Sequence, residues 1–126
     1  MLKDKTSSAI VGVSDIDRAR AFYGETLGLE PAGGEAEEGV LAFRTGSSQL
    51  TVYPSKDVRP STANAVAWGA GGDVEAIAGD LTAKGVKLEE YPDLGLDIQN
   101  GVHRAGEFRG IWFKDPDGNI LHVNSM

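Results

Sequence analysis

The 126-residue chain has two histidines and no cysteine. His122 interrupts the apolar run that leaves the turn in "GIWFKDPDGNILHVNSM", residues 110–126. His103, with Arg104 beside it, lies in "YPDLGLDIQNGVHRAGEFRG", residues 91–110. An imidazole can ligate a metal, take a proton near neutral pH or hydrogen-bond a bound molecule; on a strand it can also be a satisfied, partly buried polar group. A divalent transition metal needs at least three N, O or S donors from the protein. His122, His103 and a nearby carboxylate such as Glu107 could form such a set only if 91–110 closed over the strand carrying His122. No carboxylate is placed to orient His122, so there is no catalytic triad. The absence of cysteine removes thiol catalysis, thiolate metal sites and disulfides. There is no Walker-type phosphate loop, no G-x-S-x-G elbow and no assignable glycosidase carboxylate pair; "GAGG" at 69–72 lacks the G-x-G-x-x-G spacing.

The elements that must position these residues are written almost twice. "AIVGVSDIDRARAFYGETLGLEP" (9–31) and "AVAWGAGGDVEAIAGDLTAKGVKLEE" (65–90) each run from a short strand through an acidic helix start to a glycine stop and another strand. Ile16, Ala19, Tyr23 and Leu27 form one helical face, with Ser14 or Asp15 as cap and Gly28 as stop. Val74, Ile77, Ala78 and Leu81 form the other, between Asp73 and Gly85. The halves also close alike: "VLAFRTGSSQLTVYPS" (40–55) matches "GIWFKDPDGNILHVNS" (110–125) at an offset of 70, Phe43 on Phe113 and Leu50 on Ile120. Both read as hairpins, the second through Asp115-Pro116-Asp117-Gly118. The prediction is an α+β protein of two tandem βαβββ modules, about 6–55 and 64–126, sharing one domain over 1–126. Before the closing hairpin the first half has the connection "PAGGEAEEGV", and the second has the longer 91–110. With Leu94, Leu96, Ile98, Val102 and Phe108, the longer one is too apolar for disorder and reads as a flap packed on something.

Composition narrows the partners. Twelve basic against nineteen acidic side chains give a net charge of −7, with no basic run, so nucleic acid is not expected. No stretch approaches the ~20 apolar residues of a membrane span, and "MLKDKTSSAIVGVSD" holds no signal peptide, so the expectation is a soluble cytoplasmic protein with no membrane partner.

Tandem βαβββ modules, "VSDIDRARAFYGETLGLE" after the first strand and "WFKDPDGNILHV" at the end together resemble the vicinal oxygen chelate superfamily. That group includes glyoxalase I, extradiol dioxygenases, fosfomycin-modifying enzymes and bleomycin-binding proteins. The resemblance covers essentially the whole chain. It implies a half-open, eight-stranded, barrel-like sheet with helices outside, a homodimer, and a cavity where four strand positions carry metal ligands. Carried over, these positions fall on Ser8, on Thr51 or Val52, on Val66 or Ala65, and on His122. Alternation favours Thr51, with Tyr53 in phase; from Val66 it turns Trp68 to the cavity as well, while Trp112 is assigned to the core. Serine, threonine and valine are poor or null donors, so neither metal nor cofactor is expected. The expected function is metal-independent binding of a small, partly apolar molecule by His122, Trp68, Tyr53, His103, Phe108, Thr51 and Ser8. The alternatives are a metal-dependent lyase, isomerase or dioxygenase, a metal-free enzyme with His122 as general base, and a protein–protein module with a vestigial pocket.

Overall fold

A computed structural model describes residues 1–33 and 39–126; most of the shorter connection, 34–38, lies outside the described residues. The chain divides into two compact units, Met1–Arg59 and Pro60–Met126, each built on its own open, mixed sheet.

In the first unit, β1 (Ala9–Val13) leads to α1 (Ile16–Arg20), which is extended by a π-helical segment, Ala21–Thr26. Asp15 rather than Ser14 caps it: its Oδ1 accepts the Arg18 N–H at 3.0 Å, satisfying a donor the helix itself cannot. Tyr23, fully buried, meets the ring of Phe22 edge-on at 5.2 Å and that of Phe43 at 6.3 Å. The sheet adds β2 (Glu30–Pro31), β3 (Leu41–Thr45) and β4 (Ser48–Pro54) in the order β1-β4-β3-β2, with β1 parallel to β4. Alternation sorts its faces as expected: Val11, Val13, Phe43, Leu50 and Val52 are buried, while Tyr53 and Ile10 on the opposite face are exposed.

The second unit orders its strands β5-β9-β8-β7-β6: β5 (Asn64–Gly69), β6 (Asp97–Gln99), β7 (Val102–Ala105), β8 (Phe108–Lys114) and β9 (Ile120–Asn124). Only β5–β9 is parallel. Helix α2 (Val74–Ala83) buries Val74, Ala78 and Leu81. Asp73 stands at its N-cap position but makes no side-chain cap bond; a short 3₁₀ turn, Gly71–Asp73, leads in instead. The turn between β8 and β9 is organised by the buried Asp115. Its Oδ1 accepts the N–H groups of Asp117 and Asn119, both at 2.9 Å, and its Oδ2 accepts the Asn119 amide at 2.8 Å.

Segment 91–110 is not a flap. It carries β6 and β7, an antiparallel hairpin that pairs onto the first half of β8. Asn100 (φ 52°) and Gly101 (φ 81°) form its two-residue loop, the positive-φ pair that a type I′ turn requires. The strand expected after α2 shrinks to one bridge, Leu88 with Phe113, beside the Glu89 N–H bond to the Trp112 carbonyl at 2.7 Å. The described residues thus hold nine strands in sheets of four and five, one more than the repeat implied.

A Cβ at Gly101 would lie 2.7 Å from the Leu88 Cβ, so only glycine lets the hairpin close on the residue that bridges to β8. Gly101→Ala combines that overlap with left-handed strain and is expected to lose about 2–4 kcal/mol in urea unfolding. A loss below about 0.5 kcal/mol would show that the close approach is not needed.

Candidate functional site

The side of the second sheet away from α2 gathers aromatic rings around His122. In register, His122 on β9 stands between Trp112 of β8 and Ala67 of β5. Its imidazole stacks on the Trp112 indole, centroids 4.2 Å apart and planes 18° apart. His103 meets the same indole edge-on at 4.8 Å and Tyr91 at 5.5 Å. Phe108 folds over Gly110, where a Cβ would lie 2.8 Å from the Phe108 Cζ and 3.2 Å from the His122 Cε1. Gly110 is therefore what lets the phenyl ring and the imidazole share that spot.

The protonation of both imidazoles follows from their partners. The Ile111 carbonyl lies 2.9 Å from the His122 Nδ1, so that nitrogen must donate. The Asn124 amide NH₂ is 3.2 Å from Nε2, and its Oδ1 is committed to the Met126 N–H at 3.0 Å, so the amide donates and Nε2 accepts. His103 repeats the pattern: the Tyr91 N–H donates to its Nε2 at 3.0 Å, and its Nδ1–H donates to the Gly101 carbonyl at 3.2 Å. Burial lowers the pKa of His122 below 6.5, the Ile111 carbonyl partly opposes this, and nearby His103 lowers it further.

The structure brings together His122, His103 and Phe108 from the expected set. It adds Trp112, expected in the core, and Tyr91, which no sequence pattern marked. His103, expected on a flap, is fully buried on β7 because β7 is a sheet strand. Trp68 pairs with Val123, on the opposite side from His122. An irregularity between Asn64 and Val66 shifts the phase, so Ala67, not Val66, is in register with His122. Thr51, Tyr53 and Ser8 belong to the first unit. There Thr51 lies between Ala42 and Ile10, as His122 lies between Trp112 and Ala67. The Tyr53 hydroxyl would stand 3.3 Å from a Cβ at Gly12, and Ser8 is exposed just before β1.

Comparison with known proteins agrees with this architecture. The sequence profile described as the glyoxalase/bleomycin resistance protein/dioxygenase superfamily matches residues 6–123. A virulence protein of Salmonella typhimurium is 22% identical over 131 residues, 98% of this chain and 85% of its own. The genomically encoded fosfomycin resistance protein of Listeria monocytogenes superposes with a TM-score of 0.74 at 17% identity, covering 96% of this chain and 92% of that one. The lactoylglutathione lyase of Agrobacterium tumefaciens superposes with a TM-score of 0.71 at 17% identity, over 98% and 95% of the two chains.

A metal does not fit the residues at the positions that the resemblance implied. Both His122 nitrogens are engaged, Thr51 and Ser8 offer hydroxyls, and Val66 or Ala65 offers nothing. Among the described residues no three of His, Asp and Glu are grouped as a metal would need, so the set of His122, His103 and Glu107 is not assembled.

The pKa direction predicts a pH dependence. With the folded-state value below the unfolded one, the unfolded chain binds the extra proton as pH falls below 6.5. Stability fully present above that pH is lost as pH falls through the lowered folded-state value, with a slope of at most about 1.4 kcal/mol per pH unit. Chemical denaturation between pH 7.5 and 5.5, windows set around the ordinary histidine range, should show the wild type weakening and His122→Gln weakening less. Equal slopes would mean that His122 does not carry the effect.

Proposed function

As the chain belongs to the glyoxalase/bleomycin resistance protein/dioxygenase superfamily, we propose that it binds a small, partly apolar molecule without a metal, on the aromatic side of its second sheet. The observation that supports this reading is the stack of His122 on Trp112, with both imidazole nitrogens already in hydrogen bonds. Such a buried ring offers no open lone pair and backs the partly exposed indole of Trp112, a flat, polarisable surface. Phe108 and Tyr91, both partly exposed, extend the apolar area, and the small residues Ala67 and Gly110 keep bulk away from it. Trp68, Tyr53, Thr51 and Ser8 are not needed for this surface. A homodimer, the assembly that the resemblance implies, is part of the same proposal.

A second reading draws on the lowered pKa of His122. An imidazole kept neutral, with its lone pair on Nε2, is the form in which a general base works, and Asn124 would have to yield that nitrogen to a substrate. It calls for pH-dependent turnover that disappears in His122→Gln.

The binding reading is tested with two probes, N-phenyl-1-naphthylamine and metal-free bleomycin, in buffer containing EDTA. In Trp68→Phe, Trp112 is the single tryptophan, so quenching or energy transfer reports on the aromatic side directly. Saturable binding, unchanged by EDTA and about tenfold weaker in Phe108→Ala, is expected. No saturable binding of either probe, or binding that EDTA abolishes, would overturn the proposal.

A further inference from the structure

On the other side of the second sheet, α2, the segment 86–90 and the β6–β7 hairpin enclose a groove of about 610 Å³. Its apolar floor is Ala78, Val86, Leu88 and Val102, and Arg104, Glu75, Lys87 and Glu90 supply charge. The volume falls within the usual range for small-molecule sites.

Arg104 is the anomaly. Its Nε is buried and has no hydrogen-bond partner. Its Nη2 reaches the Glu75 Oε2 only at 3.5 Å, longer than a good charge-assisted bond. Glu75 is better engaged by Arg109, whose Nε lies 3.2 Å from Oε1. Arg109 is also satisfied elsewhere, donating through Nη1 to the Gly106 and Phe108 carbonyls at 2.8 Å each. Two guanidiniums thus share one carboxylate, and Arg109 has the better of it. The groove's own lining is balanced, Arg104 and Lys87 against Glu75 and Glu90, but Glu75 is shared with Arg109 from outside the lining, which leaves Arg104 under-neutralised. A buried unpaired N–H costs free energy that a matching acceptor would recover.

We infer that this groove binds a small monocarboxylate with a branched apolar tail, held by the Nε and Nη2 of Arg104. Turning the guanidinium toward the groove gives up only the loose contact to Glu75, which Arg109 still neutralises. In exchange the orphaned N–H and its neighbour gain a bidentate acceptor, the geometry to which the guanidinium fork is suited. The one guanidinium fork that Arg109 leaves under-neutralised matches a single carboxylate. The tail lies against Val86 and Leu88, both partly exposed, over the buried Val102. The site is separate from the aromatic surface and does not depend on it.

The test is a ¹H–¹⁵N NMR titration that follows the Arg104 Nε–H signal. The probes are 4-methylpentanoate, the isosteric 4-methylpentanamide and inorganic phosphate. The acid should shift Arg104 Nε–H and the amides of Val86 and Val102 saturably, with the neutral amide binding at least about tenfold more weakly. Arg104→Lys, which keeps the charge but loses the fork, should also bind the acid about tenfold more weakly while the rest of its spectrum stays in place. The proposal is overturned if the acid does not saturate, if acid and amide bind alike, if Arg104→Lys binds as the wild type does, or if phosphate binds more tightly than the acid. The comparison of acid with amide in the wild type stands even if the variant fails to fold.

Discussion

The register between β8 and β9 is the constraint on which the second unit depends. It places Phe113 opposite Leu121 on one side and Trp112 opposite His122 on the other. A slip of β9 by one residue would turn its side chains over, putting the imidazole where α2 needs aliphatic cover. The turn prevents the slip. The Asp115 carboxylate collects three donors from a five-residue loop, and the backbone closes it again, Gly118 N–H to the Asp115 carbonyl at 3.0 Å. A carboxylate so enclosed defines where β9 begins, and therefore which way His122 faces.

With that side set, the chemistry of the two histidines follows from where their protons must be. Each is held with Nδ1 donating to a carbonyl and Nε2 accepting from an N–H. For His103 this joins Tyr91 to the hairpin and has no visible use outside the fold. For His122 one of the bonds is to a side-chain amide near the chain end, which can move at lower cost than a strand carbonyl. The two imidazoles flank one indole, and burial together with nearby His103 disfavours a positive charge on His122, which suits contact with an apolar molecule.

Much of this was legible in the sequence, and the misses have definite physical causes. The helix faces and the alternation in β4 follow from periodicity, since each is set within a few residues; the equivalence of Thr51 with His122 came from the resemblance, with alternation choosing Thr51 over Val52. Trp68 was assigned to the wrong side because Val66 was: the two alternate together, and the irregularity that precedes Val66 leaves both on the side opposite His122. Segment 91–110 was read as a flap because its length outweighed its turn chemistry. Asn100-Gly101, between Ile98-Gln99 and Val102-His103, is itself the strongest local signal for a two-residue hairpin. Tyr91 was out of reach, since its ring and its N–H meet partners that only the hairpin brings near.

The two units show how little a shared position determines. Thr51 and His122 occupy the same place in their sheets, each on the last strand, flanked by the strand before it and by the parallel first strand of its unit. The flanking residues decide what that place can do. Opposite Thr51 stands Ala42, and beside it the exposed Ile10, so nothing there could stack on an imidazole or shield one from water. Opposite His122 stands Trp112, while Gly110 brings Phe108 within reach and Ala67 leaves the other flank clear. A histidine placed at 51 would therefore lack the indole partner and would not be a second copy of the site. The asymmetry of the chain lies in the strands beside the histidine as much as in the histidine itself.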